Sequence, residues 1–273
     1  MSVQLGQLSP DGRYRWDGAQ WVPVVTSAPV SADGRWSWNG VQWMPNPVPY
    51  LHARPFESPR FRATFTMVLL AVNAFALLLG TVFSIGLFAN GGDLNSGGDT
   101  AVIAFGLLAL AYLVLYFGSL IPTIVLFCMW LHRVVRNMPI LGAPDPRWTP
   151  GQAVGRCFLP FINLAHPLFS VIDAWRASDP STLQAIQPIR LARPVPLLIV
   201  GWWTAWLAGR ILALISNPMT SSRDLGTVAA GAMFGAIANG VTIVAAGLAI
   251  MVVFELTKRQ DLKHELIASG RLV

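Results

Sequence analysis

The chain has 273 residues, of which 54% are hydrophobic and only 12% are charged. That composition is too apolar for an ordinary soluble domain. The formal net charge of +6 does not indicate a nucleic-acid-binding protein, because the arginines flank apolar segments instead of forming a solvated patch. Anionic lipid headgroups are the expected counter-charge. The two cysteines have neither CxxC nor metal-ligand spacing, so we predict no metal and no cofactor.

The first 48 residues contain an internal repeat with a period of 22 residues. The segment SPDGRYRWDGAQWVP at 9–23 aligns with SADGRWSWNGVQWMP at 31–45, which gives the repeat pattern DG-x-x-x-W-D/N-G-x-x-W. Asp-Gly or Asn-Gly between alternating strands favours a two-residue hairpin turn. Residues 1–48 are therefore predicted to form tandem Trp-rich β-hairpins on the cytosolic side. The aromatic residues proposed for partner binding are Tyr14, Trp16, Trp21, Trp36, Trp38 and Trp43.

Two interpretations of these aromatic residues remain open. They can form a miniature core, or one set of rings can stay exposed and bind a Pro-rich or other peptide. Residues 49–60 continue a Pro-rich stretch and are predicted to be an extended linker. Residues 61–273 are predicted to form an all-α integral membrane domain.

Four apolar runs are long enough to span a bilayer, which requires about 20 residues of helix. They cover about 64–88, 101–131, 195–216 and 227–254. Basic residues precede the first run, lie between the second and third, and follow the fourth, whereas the two alternate loops contain only Arg223. The positive-inside rule then predicts a multi-pass protein of the cytoplasmic (plasma) membrane with both termini in the cytosol.

The segment 148–177 separates the two pairs of spans, and its prolines and polar residues argue against a fifth crossing. Thr149 followed by Pro150 predicts a helix start. Pro160 must end that helix, and Pro167 begins a second one. The segment is thus predicted to be an interfacial helical hairpin on the cytosolic side. Asn163 is predicted to bridge the backbone groups freed at the bend, Gln152 to lie on a solvated face, and Asp173 to face water.

Several runs in and around this segment resemble the bacterial membrane family called domain of unknown function 4328. These runs are WLHRVVRN (130–137), RWTPGQAVG (147–155), FLPFINLAHP (158–167) and DAWRAS (173–178). The resemblance covers roughly residues 60–254 and implies four transmembrane helices but no established activity. The chain departs from the family at one point: the family often has Arg-Pro-Tyr after Asn-Leu, where this chain has His166-Pro167-Leu168. The residues singled out in the motif are Trp148, Pro150, Arg156, Pro160, Asn163, His166, Pro167, Trp175 and Arg176.

Three polar residues within the spans bear on whether the protein has a polar cavity for transport. Arg210 lies about two-thirds of the way through the third span, where a charge either snorkels to the interface or lines a polar cavity. Asn73 and Asn239 either form interhelical hydrogen bonds or line the same cavity. Small residues in the third and fourth spans, among them Gly209 and Gly235, predict close helix packing.

The predicted membrane-embedded part has no acidic residue outside its loops, and it has no His-Glu-x-x-His, no Gly-x-Ser-x-Gly and no phosphate loop. We therefore predict a non-enzymatic membrane-anchored adaptor or sensor. Its expected partners are membrane lipids and a cytosolic protein or peptide bound through residues 9–45. The alternative is a small transport or lipid-handling protein with a cavity around Arg210, Asn73 and Asn239.

Overall fold

The structure is a computed structural model that describes residues 14–16, 20–23, 36–38, 42–45, 55–93, 98–143, 146–181 and 195–269. The chain divides into two compact units, Met1–Pro55 and Phe56–Val273. The sequence predicts a linker over residues 49–60. Its last five residues, 56–60, lie in the second of these units, and α1 begins at Arg60.

The described residues of the first unit include four strands of three residues each: β1 (Tyr14–Trp16), β2 (Trp21–Pro23), β3 (Trp36–Trp38) and β4 (Trp43–Pro45). They form two antiparallel pairs, β1 with β2 and β3 with β4. The register is the same in both pairs, with Trp16 opposite Trp21 and Trp38 opposite Trp43. The turns predicted between the paired strands involve residues 17–19 and 39–41, which lie outside the described residues.

The second unit is helical, and its helices follow the predicted spans closely. They are α1 (Arg60–Ala89), α2 (Gly98–Asn137), α3 (Pro150–Gly155), α4 (His166–Ala177), α5 (Leu197–Thr220) and α6 (Leu225–Ala268). Among the described residues, α1, α2, α5 and α6 are long and apolar enough to cross a membrane. The protein is therefore a multi-pass membrane protein. Most helices begin earlier or end later than the apolar runs, because helical structure continues into the charged flanks.

Two of the spanning helices are much longer than a bilayer requires. At a rise of 1.5 Å per residue, α2 and α6 measure about 60 and 66 Å, against a hydrocarbon core of about 30 Å. Alternating chain direction places the start of α1, the end of α2, the start of α5 and the end of α6 together. We call this the basic end, because it contains Arg60, Arg133, Arg136, Lys258 and Arg259.

The spanning helices pack in the order α2, α1, α6, α5. Small residues allow close approach between α5 and α6, as predicted. A side chain at Gly209 would collide with Thr242, and a Cβ at Gly235 would lie 2.9 Å from Ser216 Oγ. The short helices α3 and α4 pack against the basic end, where they contact α2, α5 and α6.

The largest hydrophobic core lies at the basic end and not in the middle of the spans. It joins residues from α1, α2, α3, α4, α5 and α6, including Trp130, Leu131, Val171, Ile199 and Leu256, each fully buried. By contrast, most apolar side chains along the central part of α2 are exposed. The basic end is thus the packed part of the protein, and the spans beyond it present apolar surface to lipid.

Candidate functional site

The segment between α2 and α5 folds as a helical hairpin that we call the central hairpin (residues 148–177). Its first helix starts as predicted: Thr149 Oγ1 accepts a hydrogen bond from Gln152 N at 3.2 Å, and Pro150 occupies the first helical position. Gln152 Oε1 in turn accepts from Thr149 N at 3.2 Å, which completes a capping box. Gln152 is exposed, as predicted, and it also stabilises the helix start.

The bend of the central hairpin is an exposed apolar turn. After α3, a 3₁₀ turn spans Arg156–Phe158, and a second one spans Ile162–Leu164. Phe161 between them has φ of 63°, a left-handed value unusual for a bulky residue, and its side chain is 86% exposed. The neighbouring exposed apolar residues are Phe158, Leu159, Ile162 and Leu164. We call these five residues the apolar tip.

The predicted bridging role of Asn163 is not what the structure shows. Its side chain is half-buried and makes no hydrogen bond with any described residue. The freed backbone groups are instead satisfied locally, for example by Asn163 N donating to Leu159 O at 3.0 Å. The Leu164 carbonyl accepts from Trp203 Nε1 of α5 at 2.9 Å. The prediction failed because consecutive 3₁₀ turns supply backbone partners that a single asparagine was expected to supply.

His166 connects the two arms of the central hairpin. It is buried, and its Nε2 lies 3.1 Å from Ala153 O in α3 and 3.3 Å from Ser170 Oγ in α4. Its ring packs edge-on against Trp148, with centroids 5.0 Å apart. Burial lowers the pKa of His166, and its contact with Ala153 O opposes that shift. The neutral ring is therefore part of the packed hairpin.

Arg156 and Trp148 form the outer part of the same cluster. The Arg156 guanidinium carbon lies 3.8 Å from the Trp148 ring centroid, a cation–π contact. Cys157 lies beside them, and its Sγ is 3.2 Å from Ala153 O. Burial raises the pKa of this thiol to about 12, so it is protonated at neutral pH and not a reactive thiolate.

The second arm, α4, is tied to its surroundings by charged residues. Asp173 does not face water as predicted: it is buried and pairs with Arg147, with 3.2 Å between Arg147 Nε and Asp173 Oδ2. The cause is that α4 packs on the protein core on this face instead of lying on a free surface. Lys263 Nζ of α6 donates to Ala177 O at 2.8 Å.

The remaining motif residues lie on or beside α4. The Arg259 guanidinium from α6 lies 4.2 Å from the Trp175 ring centroid. Pro167 is buried within the first turn of α4, and Arg176 is half-buried in its last turn. Pro160 lies within the bend, between Leu159 and Phe161 of the apolar tip, and Ile162 N donates to its carbonyl at 2.7 Å. Through these contacts the remaining motif residues are packed within the central hairpin or against α6.

The run WLHRVVRN supplies a polar network that the sequence did not predict. Trp130 Nε1 donates to Thr257 Oγ1 at 3.1 Å. Asn137 Nδ2 donates to Gln260 Oε1 at 3.1 Å and to Glu57 O at 3.0 Å, and Gln260 Nε2 donates to Val134 O at 3.0 Å. Asn137 and Gln260 are both buried. This network joins the end of α2 to α6 and to the residues that precede α1.

Glu57 completes this network with two arginines. Its carboxylate pairs with Arg133 and, at 3.1 Å, with Arg136 Nη2. Arg133 is buried, so its charge requires a partner. The spacing of Arg133 and Arg136 in α2 could have indicated a shared acidic partner. Glu57 was missed as that partner because it lies within the stretch predicted to be a linker.

The polar residues within the spans are not brought together. Asn73 Nδ2 donates to Ser119 Oγ of α2 at 3.2 Å. Asn239 of α6 faces α1, where its Nδ2 would lie 3.2 Å from a Cβ at Gly80. Arg210 is exposed on α5, with its guanidinium carbon 5.9 Å from the Trp206 centroid. Among the described residues no hydrogen bond links these three, and the geometry gives no support to a shared polar cavity.

The second strand pair, β3 with β4, presents aromatic surface. Trp36 is 44% and Trp43 is 49% exposed. The Trp38 and Trp43 rings pack edge to face with centroids 5.7 Å apart. In the first hairpin, Tyr14, Trp16 and Trp21 lie on the paired strands, and their side chains lie outside the described part of the structure.

The titratable groups do not cluster in a way that suggests a metal centre. Within the described ranges, no three His, Cys, Asp or Glu residues are placed to hold a metal ion. Cys128 and Cys157 are both free thiols.

Comparison with known proteins gives one match. The family model described as "Domain of unknown function (DUF4328)" matches residues 88–258, more than half of the chain. The match begins at the end of α1, so it is shorter than the resemblance expected over residues 60–254. Neither a curated protein nor a solved structure matches the chain.

Proposed function

The chain belongs to the family described as Domain of unknown function (DUF4328), and from that premise we propose that it is a non-enzymatic, membrane-anchored adaptor or sensor. Its Trp-rich N-terminal unit binds an extended, Pro-rich peptide of a cytosolic partner. The four spanning helices hold that unit at the membrane. The family description assigns no activity, so the proposal depends on the chain's own residues.

One observation carries the proposal, namely the two exposed tryptophans on the β3–β4 hairpin. In an antiparallel pair, residues two apart and residues directly opposite share a face. Trp36, Trp38 and Trp43 are therefore on one face, and the Trp38–Trp43 contact leaves half of the Trp43 surface exposed. Pro-rich segments in the polyproline II conformation bind to aromatic surfaces of this kind, because their conformation is already extended.

The central hairpin supports the part of the proposal that concerns anchoring at the membrane. Its apolar tip exposes Phe161 and Ile162, together with three further apolar residues, at the end of the protein where the charged residues are concentrated. An exposed apolar turn flanked by packed, charged helices is suited to shallow insertion between lipid headgroups. By the positive-inside rule, the concentration of basic residues supports our proposal that the basic end and both termini lie on the cytosolic side of the plasma membrane.

The test is peptide selection with the full-length protein in lipid nanodiscs. We expect the wild-type protein to enrich Pro-rich peptides from a random decapeptide library. The double variant Trp36→Ala/Trp43→Ala should lose that enrichment, because both exposed rings are removed. The control is Phe117→Ala, which removes an exposed ring from α2 and should leave enrichment unchanged. Equal enrichment by the wild type and the double variant would contradict the proposal.

A further inference from the structure

A groove at the basic end, between α1 and α6, has the form of a binding site for an amphiphile. It has a volume of about 300 Å³. Four residues on each helix line it at helical spacing, from Arg60 to Met67 on α1 and from Phe254 to Asp261 on α6. Because these stretches of the two helices are antiparallel, Arg60 lies opposite Asp261, and Met67 comes near Phe254. The groove therefore passes from a charged end to an apolar end over about 10 Å.

The charged end has an excess of positive charge. Arg60 Nε donates to Asp261 Oδ2 at 2.6 Å, and Asp261 is buried whereas the Arg60 side chain is 69% exposed. This contact fixes Arg60 through one donor and leaves the donors of its two terminal nitrogens available. Lys258 is exposed and forms no ion pair or hydrogen bond with any described residue. Arginine and lysine together suit a phosphodiester, which accepts several hydrogen bonds and carries a negative charge.

The apolar end suits a hydrocarbon chain. Ala63, Met67 and Phe254 line it, and Phe254 is 50% exposed. The groove lies where the apolar part of each helix gives way to its charged flank, which is the level of lipid headgroups. Phe61 and Phe65, with ring centroids 4.7 Å apart, lie on the adjoining exposed surface of α1.

From this arrangement we propose that the α1–α6 groove binds one anionic glycerophospholipid, with its phosphate at Arg60 and Lys258 and an acyl chain along Met67 and Phe254. Basic pockets between transmembrane helices are known to bind acidic lipid headgroups. The bound lipid tethers the start of α1 to the end of α6, beside the polar network that includes Glu57 and Asn137. None of the residues that line the groove belongs to the Trp-rich strands, so this proposal does not depend on the proposed peptide binding.

The experiment measures lipid binding to the full chain in a mild zwitterionic detergent, by native mass spectrometry and by the melting temperature. Three probes are compared: dioleoyl phosphatidylglycerol, dioleoyl phosphatidylcholine and glycerol 3-phosphate. We expect one phosphatidylglycerol to bind and to raise the melting temperature, since a ligand specific for the folded state stabilises it. Phosphatidylcholine and glycerol 3-phosphate should each bind at least about tenfold more weakly, because one lacks net charge and the other lacks acyl chains.

Two variants distinguish the groove from general surface charge. Lys258→Gln should weaken phosphatidylglycerol binding about fivefold, the loss expected for one basic residue near anionic lipid. Its fold should persist, because Lys258 has no partner among the described residues to lose. Arg62→Gln also removes one positive charge at the basic end, from the start of α1, but Arg62 does not line the groove, so this variant should bind like the wild type.

Three outcomes would overturn the proposal. The first is an equal loss of binding in both variants, which would indicate only general electrostatic attraction. The second is equal binding of phosphatidylcholine, which would remove the role of the two basic residues. The third is equal binding of glycerol 3-phosphate, which would make the groove a site for a soluble anion.

Discussion

Replacing Asn137 by leucine tests whether the run WLHRVVRN acts as a structural brace between α2 and α6. Asn137 is 1% exposed, and its Nδ2 donates to Gln260 Oε1 at 3.1 Å and to Glu57 O at 3.0 Å. Leucine has the same branched arrangement of side-chain heavy atoms but no donor, so both acceptors lose a hydrogen bond. Gln260 is fully buried and cannot recruit water without opening the core.

The expected cost follows from these contacts. A buried polar group left without a partner costs about 1–3 kcal/mol. Losing the hydrogen bond to the Glu57 carbonyl costs less than losing the one to Gln260, because the Glu57 side chain is 44% exposed and water is close by. We therefore expect Asn137→Leu to lower the free energy of unfolding by about 2–4 kcal/mol, with most of the loss at Gln260.

The assay is unfolding of the full-length protein in mixed micelles by titration with sodium dodecyl sulfate, followed by far-ultraviolet circular dichroism. Asn217→Leu is the control, because Asn217 is exposed at the other end of α5. The double variant Asn137→Leu/Gln260→Leu should be less destabilised than the sum of the single variants by about 1–3 kcal/mol, since it removes both partners together. Two results would refute the structural role of Asn137. One is an unfolding free energy for Asn137→Leu equal to that of the wild type, and the other is strictly additive losses in the double variant.

Three further predictions concern topology, pH dependence and helix packing. Single cysteines introduced at Ser96 and Ser181, in a background without native cysteines, should differ in labelling by an impermeant thiol reagent, with only position 96 reacting from outside. Equal labelling from outside would contradict the proposed orientation. His166 has a lowered pKa when folded, so the unfolded state binds more protons and stability should fall as pH drops below about 6.5. His166→Gln cannot become charged and should show a smaller change in melting temperature between pH 7.5 and 5.5; an unchanged pH dependence would assign the effect elsewhere. Gly209→Val should destabilise the α5–α6 contact by about 1–3 kcal/mol, whereas Gly247→Val, where no atom lies within 4 Å, should not; equal losses would refute close packing.

The sequence predicted the spans well because their signal is local. Each span is a continuous apolar run, and its length and flanking charges are visible without knowledge of any partner. The start of α3 was also predictable, since a threonine followed by proline is a local capping pattern. Bounds were less accurate in α2 and α6, because both helices continue beyond the apolar run into a packed, charged end.

The polar network could not be predicted, because its partners are far apart along the chain. Asn137 and Gln260 are separated by 123 residues, and Trp130 and Thr257 by 127. Glu57 was hidden in a Pro-rich stretch that resembles a linker by composition. Asp173 was expected to face water because helical periodicity shows which residues share a face but not which face is covered. The role of Asn163 was also mispredicted from the sequence. The backbone groups that its side chain was expected to bond form hydrogen bonds with one another instead.

The central claim is that Trp36 and Trp43 bind an extended, Pro-rich peptide. The most direct measurement is fluorine nuclear magnetic resonance of the full-length protein in nanodiscs, labelled with 5-fluorotryptophan and assigned by single Trp→Phe variants. On addition of a decaproline peptide, we expect the resonances of Trp36 and Trp43 to shift with saturation, while that of Trp130, which is fully buried in the core at the basic end, stays unchanged. Unchanged resonances for Trp36 and Trp43 at millimolar peptide, or shifts of Trp130 alone, would contradict the claim.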